Sequence, residues 1–175
     1  MVETRKCIGI LNETYNVWER RVALNPQAVQ TLVQKGYKVI VQPSDQRCFL
    51  DQEFKDVGAN IQKDLSEASV IFGVKPQVLG TILPEKTYLM YSRAHNAMEN
   101  DLPLFRELLE KKCSLIDYEQ IKDDSGRGVI GSAFYAGAVG AFDIFQYVGE
   151  FFLMKKSIST PFLYSRGAAY LHKDY

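Results

Sequence analysis

The feature that most constrains this chain is an alternation. Short apolar runs rich in β-branched residues recur between stretches long enough to form a helix. CIGIL (7–11), KVIVQPS (38–44, ended by Pro43), SVIFGVK (69–75), TYLMYS (87–92) and SLIDYEQI (114–121) read as strands. NPQAVQTLVQKGY (25–37) reads as a helix. Asn25 stands at the N-cap and Pro26 at the first helical position. Ala28, Val29, Leu32 and Val33 make an apolar stripe, and Gly36 marks the stop. DQEFKDVGA (51–59) predicts a short helix closed by Gly58, followed by a brief strand in ANIQ. NDLPLFRELLEKKC (100–113) predicts a helix with Leu104, Leu108 and Leu109 on one face, Asp101 near its start and Lys111 and Lys112 at its end. DDSGRG (123–128) is a turn. Strands separated by helix-sized connections imply βαβ units and a mostly parallel sheet flanked by helices, with both faces covered.

The segment 132–156, SAFYAGAVGAFDIFQYVGEFFLMKK, breaks the pattern by being long and nearly all apolar. Ala133, Ala136, Gly137, Gly140 and Ala141 recur at helical spacing and would let another backbone approach closely. Asp143, Gln146 and Glu150 interrupt it within three turns, so a buried or interface helix is expected and no membrane span. The organisation expected is an α/β domain over 1–131, then a long apolar helix and tail over 132–175.

Charge narrows the function classes. Lys and Arg together number 21, as do Asp and Glu, so the net charge is zero. That argues against a nucleic-acid or anionic-membrane binder, which needs a basic excess or face. Cys7, Cys48 and Cys113 are scattered, with no C-x-x-C and no neighbouring histidine. They fit a reducing, intracellular setting and buried thiols, with neither a disulfide nor a metal site. No secretory signal or mitochondrial presequence is visible in MVETRKCIGIL.

Candidate chemistry falls at strand ends. Arg21, in ERRVALNP, stands between a strand and a helix and could hold a carboxylate in a bidentate fork; the plain alternative is a surface arginine. Lys75 ends SVIFGVK, where open α/β sheets bind ligands, and could polarise a carbonyl or carry a proton; the alternative is a solvated strand-end lysine. Asp117, Tyr118 and Glu119 close LIDYE, where one carboxylate could serve as acid or base, bind an amine, or simply pair with Arg127. His95, in TYLMYSRAHNAM, could transfer protons near neutral pH, while His172 is expected to be exposed. No H-E-x-x-H, nucleophile elbow, P-loop or G-x-G-x-x-G occurs.

WERRVALNP, GYKVIVQPS, ASVIFGVK, KTYLMYS, LLEKKCSLIDYEQIKDDSGRGV, FYAGAVGAFDIF and TPFLY follow one another in the order of a known family. Nearly the whole chain resembles the N-terminal domain of the alanine dehydrogenase/pyridine nucleotide transhydrogenase family. It is most similar to the lysine-ketoglutarate reductase part of aminoadipic semialdehyde synthase and to saccharopine dehydrogenase. The resemblance implies a flavodoxin-like or Rossmann-like α/β domain that binds oxo and amino acids beside a separate dinucleotide-binding domain. It implies that Arg21 binds carboxylate, that Lys75 is the active-site lysine, and that Glu119 and Arg127 lie on the substrate side.

The departures matter as much. Arg93 occupies the family's active-site histidine position, Asn96 the following lysine position and Gly128 that of a second arginine. His95 is displaced by two residues, roughly 6–7 Å along an extended chain, too far for direct proton transfer at about 3 Å. The chain ends where the family enters its dinucleotide domain. The expectation is therefore a non-catalytic homologue, an interaction or structural subunit of a larger assembly, with a protein partner or a second copy on helix 132–156. It would hold no cofactor itself, and the family places it in the mitochondrial matrix or the cytosol. The alternatives are the substrate half of an oxidoreductase that meets NAD(P) through a separate Rossmann chain, or a carboxylate sensor.

Overall fold

The structure is a computed structural model describing residues 6–93, 99–131 and 133–164. It divides into two compact units, Met1–Gly128 and Val129–Tyr175. The first unit runs β1 (Cys7–Ile10), α1 (Pro26–Gln34), β2 (Lys38–Val41), α2 (Asp51–Asp56), β3 (Asn60–Ile61), β4 (Val70–Phe72), β5 (Thr87–Met90), α3 (Leu102–Glu110) and β6 (Ser114–Asp117). Every strand pairing is parallel, and the order is β3-β2-β1-β4-β5-β6. This is the doubly wound Rossmann order. The chain starts in the centre, moves out to β3, then returns to place β4 beside β1 and moves the other way. Of the two relatives of this architecture that the sequence left open, the structure has the Rossmann one and not the flavodoxin one.

Local signals set most boundaries. The Asn25 side chain accepts the Ala28 N–H at 2.9 Å, and Pro26 opens α1 where a missing N–H costs nothing. Gly36 and Gly58 take φ of 86° and 91° after α1 and α2, in the left-handed region that favours glycine. The strand expected over 114–121 stops at Asp117. Its carboxylate accepts the Glu119 N–H at 3.0 Å and bends the chain into a 3-10 turn, Tyr118–Gln120. The helix expected from 100 begins at Leu102. Asp101 makes no capping bond there, since its carboxylate is turned to Arg93.

Two clusters cover the two faces of the sheet. Val39 and Val41 join Ile10, Val29 and Phe54 on one side, while Ile40, between them, joins Leu65, Ile71, Tyr88, Leu104 and Leu108 on the other. This is the period-two alternation of a doubly covered strand. Each fully buried aliphatic side chain contributes about 1.5–3 kcal/mol. Gly9, in the central strand, is a packing requirement: a Cβ there would lie 3.1 Å from Ala68 Cβ and 3.3 Å from Leu65. Leu109 departs from expectation. It is 77% exposed, because five residues on from Leu104 it is turned by roughly 140°, and Phe105 packs against the core instead.

The second unit contains α4 (Ala133–Lys156) and a 3-10 turn, Pro161–Tyr164. The turn packs where α4 is smallest. A Cβ on Gly149 would lie 2.5 Å from the Leu163 nitrogen, and the Phe145 and Phe162 rings stack 5.4 Å apart. Gly149 is the buried residue of α4, where the turn closes over it. Among the described residues no helix is long and apolar enough to cross a membrane.

Candidate functional site

The switch point of this strand order lies between β1 and β4, and ligands of such sheets bind beyond the carboxyl ends of those two strands. The loop after β1 supplies Glu13, Tyr15, Glu19 and Arg21, and Lys75 follows β4. Arg21 and Lys75 therefore come from the two strands that flank the switch point. The guanidinium of Arg21 grips Glu19 through Nε–Oε1 and Nη2–Oε2, both at 2.7 Å, and the Arg21 main-chain N–H adds a third bond at 3.1 Å. Glu19 is buried while Arg21 is half exposed. The Nη1 edge of the fork is not used by Glu19. Burial alone would raise the Glu19 carboxyl, but the Arg21 bonds outweigh it and hold it below the usual carboxylate range.

Glu13 was not among the residues singled out from sequence. Its carboxylate accepts the main-chain N–H of Val74 at 2.7 Å and of Lys75 at 3.0 Å, and the residue is only 5% exposed. Burial drives this carboxyl above its ordinary value, against the two N–H bonds that favour the ionised form; Glu19 adds to the rise and Arg21 opposes it. The signal for it was present in the sequence: an acid just beyond the carboxyl end of the first strand. The Lys75 ammonium lies 5.8 Å from the centroid of the Tyr15 ring, within cation–π range. Tyr118, after β6, is buried, its ring edge-on to Tyr91 at 5.2 Å. Burial, then Glu13 and Tyr91, push its phenol above the usual range.

The other sequence candidates are placed differently. Glu119 is exposed and donates its N–H to Asp117, while Asp117 is buried and accepts the Ser92 hydroxyl at 2.5 Å. The ion pair considered for Arg127 forms with Asp123 at 3.2 Å, inside the 123–128 turn, with Arg127 largely exposed. Arg93 follows β5 at φ 55°, a left-handed conformation unusual for arginine, and its Nη2 lies 2.8 Å from Asp101 Oδ1. His95, Asn96 and His172 lie outside the described residues. A cleft of about 460 Å³ borders the corner, lined among others by Tyr15, Pro76, Gln77, Arg93, Asn100 and Asp101. Among the described residues no group of histidine, cysteine, aspartate and glutamate is placed to hold a metal. Cys7, Cys48 and Cys113 are free.

A family model described as the alanine dehydrogenase/PNT N-terminal domain matches residues 9–137. An alpha-aminoadipic semialdehyde synthase of Arabidopsis thaliana is 38% identical over 173 residues, covering 95% of this chain and 16% of the plant protein. The mitochondrial alpha-aminoadipic semialdehyde synthase of Bos taurus is 36% identical over 90% of this chain and 17% of its own length. A saccharopine dehydrogenase (NAD+, L-lysine-forming) of Yarrowia lipolytica is 33% identical over 70% of this chain and 35% of its own. The chain thus spans about one-sixth of the first two relatives. Among solved structures, an L-alanine dehydrogenase superposes with a TM-score of 0.65 at 22% identity, over 86% of this chain and 42% of that one, a likeness of fold.

Proposed function

The chain belongs to the alanine dehydrogenase/PNT N-terminal domain family, and from that premise we propose that it is a non-catalytic member. On this reading it keeps a carboxylate-binding corner and serves as an interaction subunit of a larger assembly. The observation that carries the non-catalytic part is the Arg93–Asp101 pair. Arg93 stands where the resemblance puts the proton-transferring histidine, and its guanidinium is engaged at 2.8 Å by a buried carboxylate. A guanidinium stays protonated throughout the working pH range and cannot serve as a base. Arg21 and Lys75 at the switch point support retained binding of a small 2-oxo or amino acid, with the Nη1 edge of Arg21 available to a ligand carboxylate. The interaction role is supported by α4, where Phe134, Tyr147 and Met154 are 82%, 68% and 76% exposed. Relatives in cattle, rat and mouse are named as mitochondrial, which supports the same placement here, with the cytosol as the alternative.

The test combines turnover and binding. The purified chain with lysine, 2-oxoglutarate and NADH or NADPH should oxidise no nicotinamide above background. 2-Oxoglutarate should raise the melting temperature of the wild type and not of Arg21→Ala. Turnover by the chain alone would overturn the reading. A second reading is favoured by the preserved Arg21 and Lys75: the chain is the substrate half of an NAD(P)-dependent saccharopine or lysine oxidoreductase. Turnover that appears only when a dinucleotide-binding chain is added would establish it.

A further inference from the structure

Beyond Phe72 the sheet is no longer closed on the β1 side by strand backbone. Leu11 N–H still reaches the Phe72 carbonyl at 2.9 Å, and on the other side Tyr91 N–H reaches the Val74 carbonyl at 3.1 Å. The N–H groups of Val74 and Lys75 have no strand carbonyl on the β1 side. A buried N–H left unpaired costs about as much as a lost hydrogen bond, and here both are satisfied by one side chain, Glu13. The fold makes room for it. Gly73 has no Cβ, and one built there would lie 2.9 Å from Leu11 Cδ1 and 3.5 Å from Glu13 Oε1. The same loop supplies Tyr15 beneath the Lys75 ammonium, and the paired Glu19 and Arg21.

We propose that Glu13 is a positioning residue: its carboxylate clamps the Val74 and Lys75 N–H groups and thereby sets Lys75 against Arg21 in the geometry that receives a ligand carboxylate. The ligand part rests on the carboxylate-binding reading of that corner; the clamp itself does not. An ionised carboxylate presents acceptors to both N–H groups at once. A protonated acid or an amide presents a donor to one of them and loses that bond. Among the described residues the charged and titratable groups that act on Glu13 are Glu19 and Arg21 from its own loop and Tyr118 after β6; Lys75, after β4, acts on Glu19, and Tyr91, after β5, acts on Arg21 and Tyr118.

The full chain labelled with 15N tests this without any ligand. In the wild type the Val74 and Lys75 amide resonances should titrate together, with a midpoint above the ordinary glutamate value. Glu13→Gln should abolish that titration and speed exchange of at least one of the two amides tenfold or more, about the loss of a charge-assisted hydrogen bond. Glu13→Asp, which keeps the charge, should restore the titration with partial protection. It also serves if the glutamine variant does not fold. A second arm measures 2-oxoglutarate binding through Trp18, the sole tryptophan, which lies in the same loop. Affinity should fall at least fivefold in Glu13→Gln. Amides that do not titrate in the wild type, or wild-type protection in the folded variant, would overturn the clamp. A wild type that binds no 2-oxoglutarate while its amides titrate as expected would remove the ligand reading and leave the clamp standing.

Discussion

Nη2 of Arg93 lies 2.8 Å from Oδ1 of Asp101, joining the chain beyond β5 to the first residue before α3. The pair is lopsided: the Arg93 side chain is 54% exposed and that of Asp101 9%. The other carboxylate oxygen, Asp101 Oδ2, is buried and has no hydrogen-bond partner among the described residues. Arg93→Ala therefore removes the partner from a buried charge. We expect a loss of about 1–2 kcal/mol, less than for a fully buried pair because water reaches the arginine. Urea unfolding of the variant and wild type at pH 7 checks this. The double variant Arg93→Ala/Asp101→Asn should recover part of the loss, since the buried charge is then gone.

The Glu19–Arg21 pair predicts an acid-side loss of stability. Glu19 has a native value below its unfolded one, so it binds its proton less readily when folded. Its contribution is complete above the ordinary glutamate range and is lost as pH falls through the native value. In Arg21→Ala that part of the acid slope should disappear, with a cost of about 1–2 kcal/mol at pH 7 after allowing for the half-exposed arginine. Melting temperatures of both proteins from pH 7 to pH 3 give the comparison.

Tyr88 carries a structural bond that its position in β5 conceals. Its hydroxyl accepts the Leu83 N–H at 2.8 Å, and the residue is 2% exposed. Tyr88→Phe keeps the ring and strands that N–H, for an expected cost of about 1–3 kcal/mol. Equilibrium unfolding measures it, and Leu83 should lose amide protection before its neighbours in the core.

Gly149 governs the second unit. Any side chain there meets backbone at 2.5 Å from the Leu163 nitrogen and 2.7 Å from the Phe162 carbonyl carbon. Backbone cannot swing aside as a flexible side chain can, so Gly149→Ala should detach the Pro161–Tyr164 turn while α4 remains helical. Limited proteolysis near 157–164 should accelerate severalfold, with helical circular dichroism almost unchanged. Equal cleavage rates would refute the packing requirement.

Sequence alone determined what short-range chemistry determines. Asn25, Pro26 and Gly36 bound α1 because capping bonds and φ preferences span only a few residues. The apolar runs around Ile10, Val41 and Ile71 announced buried parallel strands because a strand covered on both faces needs no alternation in polarity. Lys75 was legible as the polar residue that closes one such run, and Arg21 as the arginine just before the Asn25–Pro26 helix start. Tertiary structure alone decided the order that returns β4 to the side of β1, and with it the contact between Glu13 and two N–H groups 61 and 62 positions away. It also decided that Asp117 and not Glu119 is buried, that Arg127 pairs within its own turn, and that Arg93 is taken by Asp101. The Glu13 clamp and the Ser92–Asp117 bond are partnerships between elements distant in sequence. No local propensity encodes them, because which buried donor meets which acceptor depends on how the sheet is assembled.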